Sequence, residues 1–325
     1  MTATVLVTGG SGYLGTQLIA ALLRDGQEVR GTVRSLYDET AVREAVRRGG
    51  ADDAGLELVE AELTSEDGWP AALAGVDEVH HVASPIPAAQ PHNPDDLIVP
   101  AREGTVRVLK AARDAGARRV VLTSSFAAIG YSPKSNHDYT EEDWTDPETP
   151  GLPPYPRSKT IAERAAWDFI GASGGDTELV VMNPTFIAGP SLVPGLRSTL
   201  THFKAIIDGT IPALPRQRFG VADVRDVAVA HILAMATPGA AGKRYLLLAD
   251  GPTITWLRLA HILRDLLGPA GRNVRTDEVP GQDPPPLTIH NDRAKRELGW
   301  CPRSTETTII DTAECLRDLG LLERR

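Results

Sequence analysis

Apolar and polar positions change period repeatedly along the first half of the chain. VLVT at 5–8 is a short apolar run of strand type, and apolar positions at helical spacing follow it from about Tyr13 to Leu23. The same pair of signals then recurs. EVRGTV (28–33) precedes a helical pattern near 38–48, and LELVEAEL (56–63) precedes a short one near 67–74. VDEVHHVA (76–83) leads into a long helical pattern over roughly 94–115, and RRVVLTSS (118–125) follows it. A helix at about 155–172 and a last strand, ELVVMN (178–183), extend the series. Strands that alternate with helices in this way require right-handed crossovers. The pattern therefore predicts an α/β fold with a doubly wound parallel sheet covered on both faces.

After Asn183 the texture changes. NPTFIAGPSLVPG is rich in Pro and Gly, and the elements beyond it are shorter: a helix near 198–208, VADVRDVAVAHILAMA, KRYLLLA and TWLRLAHILRDLLG. VPGQDPPPLT (279–288) reads as a loop. DRAKRELGW and TETTIIDTAECLRDLGLL close the chain as helices. The expected organisation is a nucleotide-binding domain over 1–183 and a smaller, mainly substrate-binding lobe over 184–325, with some of its segments returning to the sheet.

Composition narrows the function classes. The chain has 325 residues, 42% of them hydrophobic and 24% charged, enough for a sizeable core. Its net charge of −9 has the wrong sign for a general nucleic-acid or anionic-membrane binder. Cys301 and Cys315 lack metal-ligand spacing and read as free thiols in a reducing compartment. No apolar run approaches the roughly 18 residues of a membrane span, and the first apolar residues run into glycines instead of a signal-peptide cleavage site. The expectation is a cytoplasmic monomer or homodimer acting on a small molecule, with no nucleic-acid or membrane partner.

Chemistry enters with TVLVTGGSGYLG. Gly9, Gly12 and Gly15 stand between the first strand and the first helix. Residues without Cβ allow the tight turn and let a diphosphate approach the backbone, while the helix N-terminus supplies free N–H groups. In this strand-loop-helix context the spacing predicts a Rossmann-type dinucleotide site. At the end of the second strand an acidic residue would select NAD through its ribose 2′-hydroxyl, and an arginine would accommodate the 2′-phosphate of NADP. GTVRS places Arg34 and Ser35 there, with Arg43 as a second cation on the next helix, so NADPH/NADP+ is the expected cofactor.

YPRSK places Tyr155 and Lys159 four apart at the start of a helix, which stacks them on one face. An ammonium beside a phenol favours the phenolate and is expected to lower the phenol pKa from its usual ~10. Such a tyrosine can protonate a carbonyl oxygen as hydride reaches the carbon. LTSS ends at Ser125 on the C-terminal end of the fifth strand, the edge where open α/β sheets bind ligands.

These pieces carry a resemblance. VTGGSGYLG, RGTVRS, HHVASP, RRVVLTSSFAAIGY, YTEEDW, YPRSKTIAERAAW, NPTFIAGP, VADVRDVAVAHILAM and RAKRELGW occur in order over nearly the whole chain. The sequence resembles the extended short-chain dehydrogenase/reductase family, within it the dihydroflavonol-reductase-like and cinnamoyl-CoA-reductase-like group. The resemblance implies NADPH-dependent reduction of an aldehyde or ketone, with Ser125, Tyr155 and Lys159 as the catalytic triad. It places Ser11, Gly12, Tyr13 and Leu14 along the diphosphate and Arg34 at the 2′-phosphate. Glu62 and Leu63 would flank the adenine, where the family commonly has Asp-Leu. Val82, Ala83 and Ser84 would run past the ribose, and Pro184 through Ile187 would hold the nicotinamide by backbone contacts. Lys159 would also bind the nicotinamide ribose.

Two alternatives share parts of this pattern: a nucleotide-sugar epimerase or dehydratase, and a dinucleotide-binding redox sensor without turnover. Arg197, Arg216 and Arg218 are the cations that would favour a sugar diphosphate. Other features carry no expected chemistry. His80 and His81 are adjacent on a strand, point to opposite faces and cannot chelate one metal together, so no metal site is expected. EEDW (141–144) is expected to close over the cofactor with Trp144 packing, and Asp223 or Asp226 to cap a helix.

Overall fold

The computed structural model describes residues 4–85, 93–132, 134, 137–173, 175–196 and 199–322. In chain order the first half contains β1 (Thr4–Thr8), α1 (Tyr13–Arg24), β2 (Glu28–Val33), α2 (Glu39–Arg48), β3 (Leu56–Glu60), α3 (Trp69–Leu73), β4 (Val76–His81), α4 (Asp95–Asp114) and β5 (Arg119–Thr123). It continues through β6 (Asp138–Tyr139), α5 (Pro154–Ser173), β7 (Glu178–Pro184), β8 (Phe186–Ala188), α6 (Leu200–Ile207), β9 (Arg218–Phe219), β10 (Val221–Asp223) and α7 (Val224–Ala236). β11 (Arg244–Leu247), β12 (Ile254–Thr255), α8 (Trp256–Leu267), β13 (Thr288–Ile289), α9 (Asp292–Leu298) and α10 (Thr305–Asp318) complete it.

Seven strands form one sheet in the order β11-β7-β5-β4-β1-β2-β3. Every neighbouring pair in it is parallel. From β1 the chain winds to β2 and β3 on one side, then crosses to β4, β5 and β7 on the other. The order therefore reverses between β1 and β4, which opens a crevice at their C-terminal ends. β11 returns from the C-terminal part of the chain to extend the sheet beside β7. The remaining short strands pair in twos: β8 with β10, β9 with β12 and β6 with β13.

Strand alternation divides the core. Val5 and Val7 of β1 face an apolar cluster with Leu18 and Ile19 of α1 and Val227 and Ala230 of α7. Leu6, between them, faces a second cluster with Leu73, Val108, Leu109 and Ala166 on the other side. Burial on both faces explains the near-continuous apolar strands. Arg119 is the exception that fixes α7. It is 1% exposed, and its guanidinium donates to the carbonyls of Ala234, Met235 and Thr237 at 2.8, 2.9 and 2.7 Å. A cation thereby meets the carbonyl end of the helix dipole. At the other end of α7, Asp223 caps by accepting the Arg225 N–H at 2.9 Å. Asp226 instead accepts the N–H of Arg303.

β4 ends at His81, before the apolar pattern does, because the next two N–H groups leave the ladder. Val82 and Ala83 both donate to Thr8 Oγ1 at 3.0 Å, which turns the chain across the end of β1. No helix among the described residues is long and apolar enough to cross a membrane.

Candidate active site

The glycine loop leaves β1 at Gly9, whose φ of 71° lies in the left-handed region. Close packing makes Gly15 the more restrictive position. A Cβ there would sit 2.2 Å from the Gly9 carbonyl oxygen, where no atom fits. Gly12 is the N-cap of α1 and carries no side-chain cap, so the first-turn N–H groups are left to whatever lies in front of them. A cradle of bare backbone at a helix N-terminus suits a diphosphate. Gly15→Ala is expected to destabilise the fold by about 1–3 kcal/mol, the usual result of overpacking. A fall in thermal midpoint tests it, and an unchanged midpoint would refute the close approach.

Other residues expected at the loop differ in what they offer. Ser11 is partly exposed. Leu14 lies in the apolar cluster. The Tyr13 phenol points away from the loop and donates to the Gly189 carbonyl at 2.6 Å. Burial pushes that phenol well above its ordinary pKa, with Asp223 adding to the effect. Tyr13 and Leu14 can therefore offer the loop only their backbone.

Arg34 follows β2 directly and is exposed. Among the described residues its guanidinium has no hydrogen-bond or ion-pair partner, which leaves it available to an anion. Arg43 is different and corrects the reading of a second phosphate cation. Its Nε donates to Glu39, Nη1 to Asp53 and Nη2 to the Leu56 carbonyl, so each of its three nitrogens already has a partner. Glu62 is exposed and accepts from the Thr64 hydroxyl at 2.7 Å. Leu63 packs at the edge of the second apolar cluster, and its carbonyl accepts from Arg107.

The C-terminal ends of β4, β5 and β7 bring the remaining residues together. Val82 and Ala83 have their N–H groups on Thr8, as above. Ser84 Oγ accepts from Lys159 Nζ at 3.1 Å. Ser125 opens a short 3-10 turn, and its Oγ accepts the Ala127 N–H at 3.1 Å. The same hydroxyl is the polar neighbour that draws the pKa of the Tyr155 phenol down. Pro184 ends β7 opposite Leu247. Beyond it the Thr185 and Phe186 N–H groups are bonded to Leu247 and Gly220, and the Ile187 carbonyl accepts from Thr199. Thr185 and Phe186 therefore have no N–H to spare, and any backbone contact from this segment falls to its other groups.

The electrostatics of the triad correct one expectation. Burial pushes the Tyr155 phenol above its ordinary pKa, and Tyr131 adds to this, while only the neighbouring Ser125 hydroxyl pulls it down. The ammonium expected to depress it is itself destabilised: burial lowers Lys159 to about 8, and Glu163 pushes in the opposite direction. Desolvation outweighs the Glu163 charge at Lys159 and the pull of the Ser125 hydroxyl at Tyr155.

One further expectation changes. EEDW does not close over the strand ends. Arg244, at the start of β11, donates to the carbonyls of Glu141 and Asp143 at 2.8 and 2.7 Å and lies over the Trp144 ring at 3.8 Å. The loop is thus clamped to the beginning of an edge strand. His80 packs beside His231 of α7, with ring centroids 5.6 Å apart, whereas His81 bonds Thr8 at 2.9 Å. Among the described residues no group of three or more His, Cys, Asp or Glu could hold a metal ion.

Sequence reasoning passed over a buried network beside the triad. Glu163, 1% exposed, accepts from Ser124 Oγ at 2.5 Å, from Asn183 Nδ2 at 2.8 Å and from Arg244 Nε at 2.6 Å. The available signal was its place four residues after Lys159, on the same helix face.

A doubly wound parallel sheet, a glycine loop at its first strand and a Ser-Tyr-Lys group beside the crevice define the dinucleotide-binding oxidoreductase class. A model of the NAD dependent epimerase/dehydratase family matches residues 5–247. The chain belongs to that family, the extended short-chain dehydrogenases/reductases. Cinnamoyl-CoA reductase 1 of Arabidopsis thaliana is 32% identical over 325 residues, covering 98% of this chain and 90% of the relative. Tetraketide alpha-pyrone reductase 2 of the same plant is 36% identical over 267 residues, with 80% and 81% covered. The solved structure of yeast methylglyoxal/isovaleraldehyde reductase Gre2 complexed with NADPH has a TM-score of 0.83 at 25% identity, covering 98% of this chain and 99% of that one.

Proposed function

We propose that the protein is an NADPH-dependent carbonyl reductase acting on aldehydes or ketones. The observation that carries this is the gathering of Ser125, Tyr155 and Lys159 at the strand ends beside the crevice: the Ser125 hydroxyl acts on the buried Tyr155 phenol, and Lys159 Nζ, one helical turn further on, donates to Ser84 Oγ at 3.1 Å. The reductases among its relatives support the reaction class. Residues 1–183 bind the dinucleotide, and 184–325 mainly shape the substrate site while returning β11 and α7 to the sheet.

When bound, NADPH supplies the hydride. The protein's own residues do the rest. Ser125 holds the carbonyl oxygen, and Tyr155 gives that oxygen its proton as the carbon gains hydrogen, so C–H and O–H bonds form while the C=O π bond is lost. The tyrosine is left as phenolate and regains its proton from solvent. A phenol whose pKa is raised starts in the acid form, which is the state reduction requires. Lys159 holds the nicotinamide ribose, and its charge opposes the negative charge left on Tyr155.

An epimerase must begin with Tyr155 as a base and needs cations for a sugar diphosphate. Arg216 is already paired with Glu278 and Asp283 at 3.1 and 2.7 Å. Arg218 donates to the Thr253 carbonyl at 3.2 Å, and Arg197 lies outside the described residues. The free thiols of Cys301 and Cys315 support a cytoplasmic setting.

A panel of aromatic aldehydes, aliphatic aldehydes and β-keto esters with NADPH and NADH tests the reading. Oxidation of NADPH with at least one carbonyl is expected; none across the panel would favour a sensor. Arg34→Ala is expected to raise the KM for NADPH about ten- to a hundred-fold, the loss of one charge-assisted phosphate contact. The KM for NADH should barely move. Equal changes for both cofactors would remove Arg34 from the 2′-phosphate.

A further inference from the structure

The carboxylate of Glu163 is the most heavily bonded side chain beside the triad, and the reaction steps above make no use of it. Oε2 accepts from Ser124 and Asn183, and Oε1 accepts from Arg244 and, at 3.4 Å, from the Trp167 indole. Asn183 also donates to the carbonyl of Ser125 at 3.2 Å. Ser124, in turn, is tied to β7 through its N–H, which donates to the Met182 carbonyl at 2.8 Å. One carboxylate on α5 thus grips the ends of two strands, and one of those ends carries Ser125. A small cavity of about 20 Å³ is lined by both Lys159 and Glu163, together with Ser84, Thr105 and Ser124. That volume is about the size of one water.

Few charges compete there. On α5 itself Tyr155 and Glu163 stand one turn to either side of Lys159. From β4 it meets His81, which burial holds neutral with a pKa of about 3. The residues that α4 and β5 bring to the cavity are neutral: Ala101, Thr105, Leu122, Thr123 and Ser124. Among the described residues Glu163 is the negative charge that acts on the Lys159 ammonium.

We propose that Glu163 is a positioning residue for the reduction. It ties the Ser125 strand end to the helix face that carries Tyr155 and Lys159, and across the small cavity that both line its charge favours the Lys159 ammonium. The proposal rests on the carbonyl-reductase reading for its rate consequences, but its electrostatic part concerns Lys159 in the protein alone. Arg244 shares the carboxylate, so the two partners should act on Lys159 in opposite senses.

Lysine-selective ¹³Cε labelling followed by NMR titration separates the two readings, because it needs neither cofactor nor turnover. The chain has six lysines, and the Lys159 signal is assigned by its loss in Lys159→Met. In Glu163→Gln the Lys159 titration should move down by about one pH unit, the size of a nearby opposite charge. In Arg244→Met, where the carboxylate loses its competing cation, it should move up. The alkaline limb of kcat/KM for NADPH should follow, leaving Glu163→Gln about ten-fold slower than wild type at pH 9. A purely packing role would lower the thermal midpoint without moving the titration.

Should Glu163→Gln fail to fold with Arg244 left unpaired, the double variant Glu163→Gln/Arg244→Met removes both charges. It should still show the downward shift. An unmoved Lys159 titration in a folded variant overturns the proposal. A shifted titration in a protein that oxidises no NADPH would instead overturn the carbonyl-reductase reading and leave the electrostatic role of Glu163 standing.

Discussion

Tyr155→Phe lowers kcat for carbonyl reduction by about 10²–10⁴, the usual worth of a positioned general acid. The substitution keeps the ring and removes only the phenolic hydroxyl, whose polar neighbour is Ser125. NADPH affinity should therefore stay within a few-fold of wild type, measured by quenching or enhancement of cofactor fluorescence. The surroundings of the phenol sharpen the expectation. Burial pushes its pKa up, so at neutral pH the wild type carries the proton on essentially every molecule, and losing the group removes a fully populated acid. Ser125→Ala should lower the rate without abolishing it, because the hydroxyl orients the carbonyl while the acid remains. A Tyr155→Phe enzyme that keeps a tenth or more of wild-type kcat would place the acid elsewhere.

The parts of this site that were legible in the sequence share one property: each is set by local geometry. A strand followed by GGSGYLG fixes the loop. The recurrence of strand and helix fixes a parallel sheet, and a parallel sheet brings the ends of β1, β4, β5 and β7 to one edge. Ser125 and Ser84 thereby approach Tyr155 and Lys159 although 30 and 75 residues separate them along the chain. The rest depended on what the chain folds against.

Arg43 looked as available as Arg34, but Asp53 and the Leu56 carbonyl take it up, and only tertiary structure places them there. EEDW looked like a lid because its partner Arg244 lies about a hundred residues further on and has no motif of its own. The sign of the Tyr155 shift was misread for the same reason. The spacing of YPRSK shows the ammonium, whereas burial, which opposes it, is a property of the whole fold. Glu163 was visible as a charge at helical spacing, the usual mark of a solvated face. Its 1% exposure reverses that meaning.

Lys159→Met is expected to damage cofactor binding and chemistry together, and the pH profile shows why. Burial lowers the wild-type ammonium to about 8, so it is charged below that pH and neutral above it. Reduction needs the ammonium at the ribose and Tyr155 in its acid form, and the raised phenol stays protonated well past the point where Lys159 is lost. The alkaline limb of kcat/KM for NADPH, which reports the free enzyme, should therefore fall through about 8 and belong to Lys159. In Lys159→Met that limb disappears, and NADPH affinity drops about ten- to a hundred-fold with the charge-assisted contact. Stability should move the other way. A buried ammonium replaced by an apolar chain of similar length relieves desolvation, so the thermal midpoint holds or rises. Linkage gives the same sign: the folded pKa lies below the unfolded value of ~10.4, so wild type gains stability from this group as pH rises from about 8 toward that value, and the variant does not. A variant that is as stable as wild type, slower, and flat where wild type falls would assign the alkaline limb to Lys159. An unchanged limb in an active variant would take Lys159 out of the mechanism and leave Tyr155 to account for the pH dependence alone.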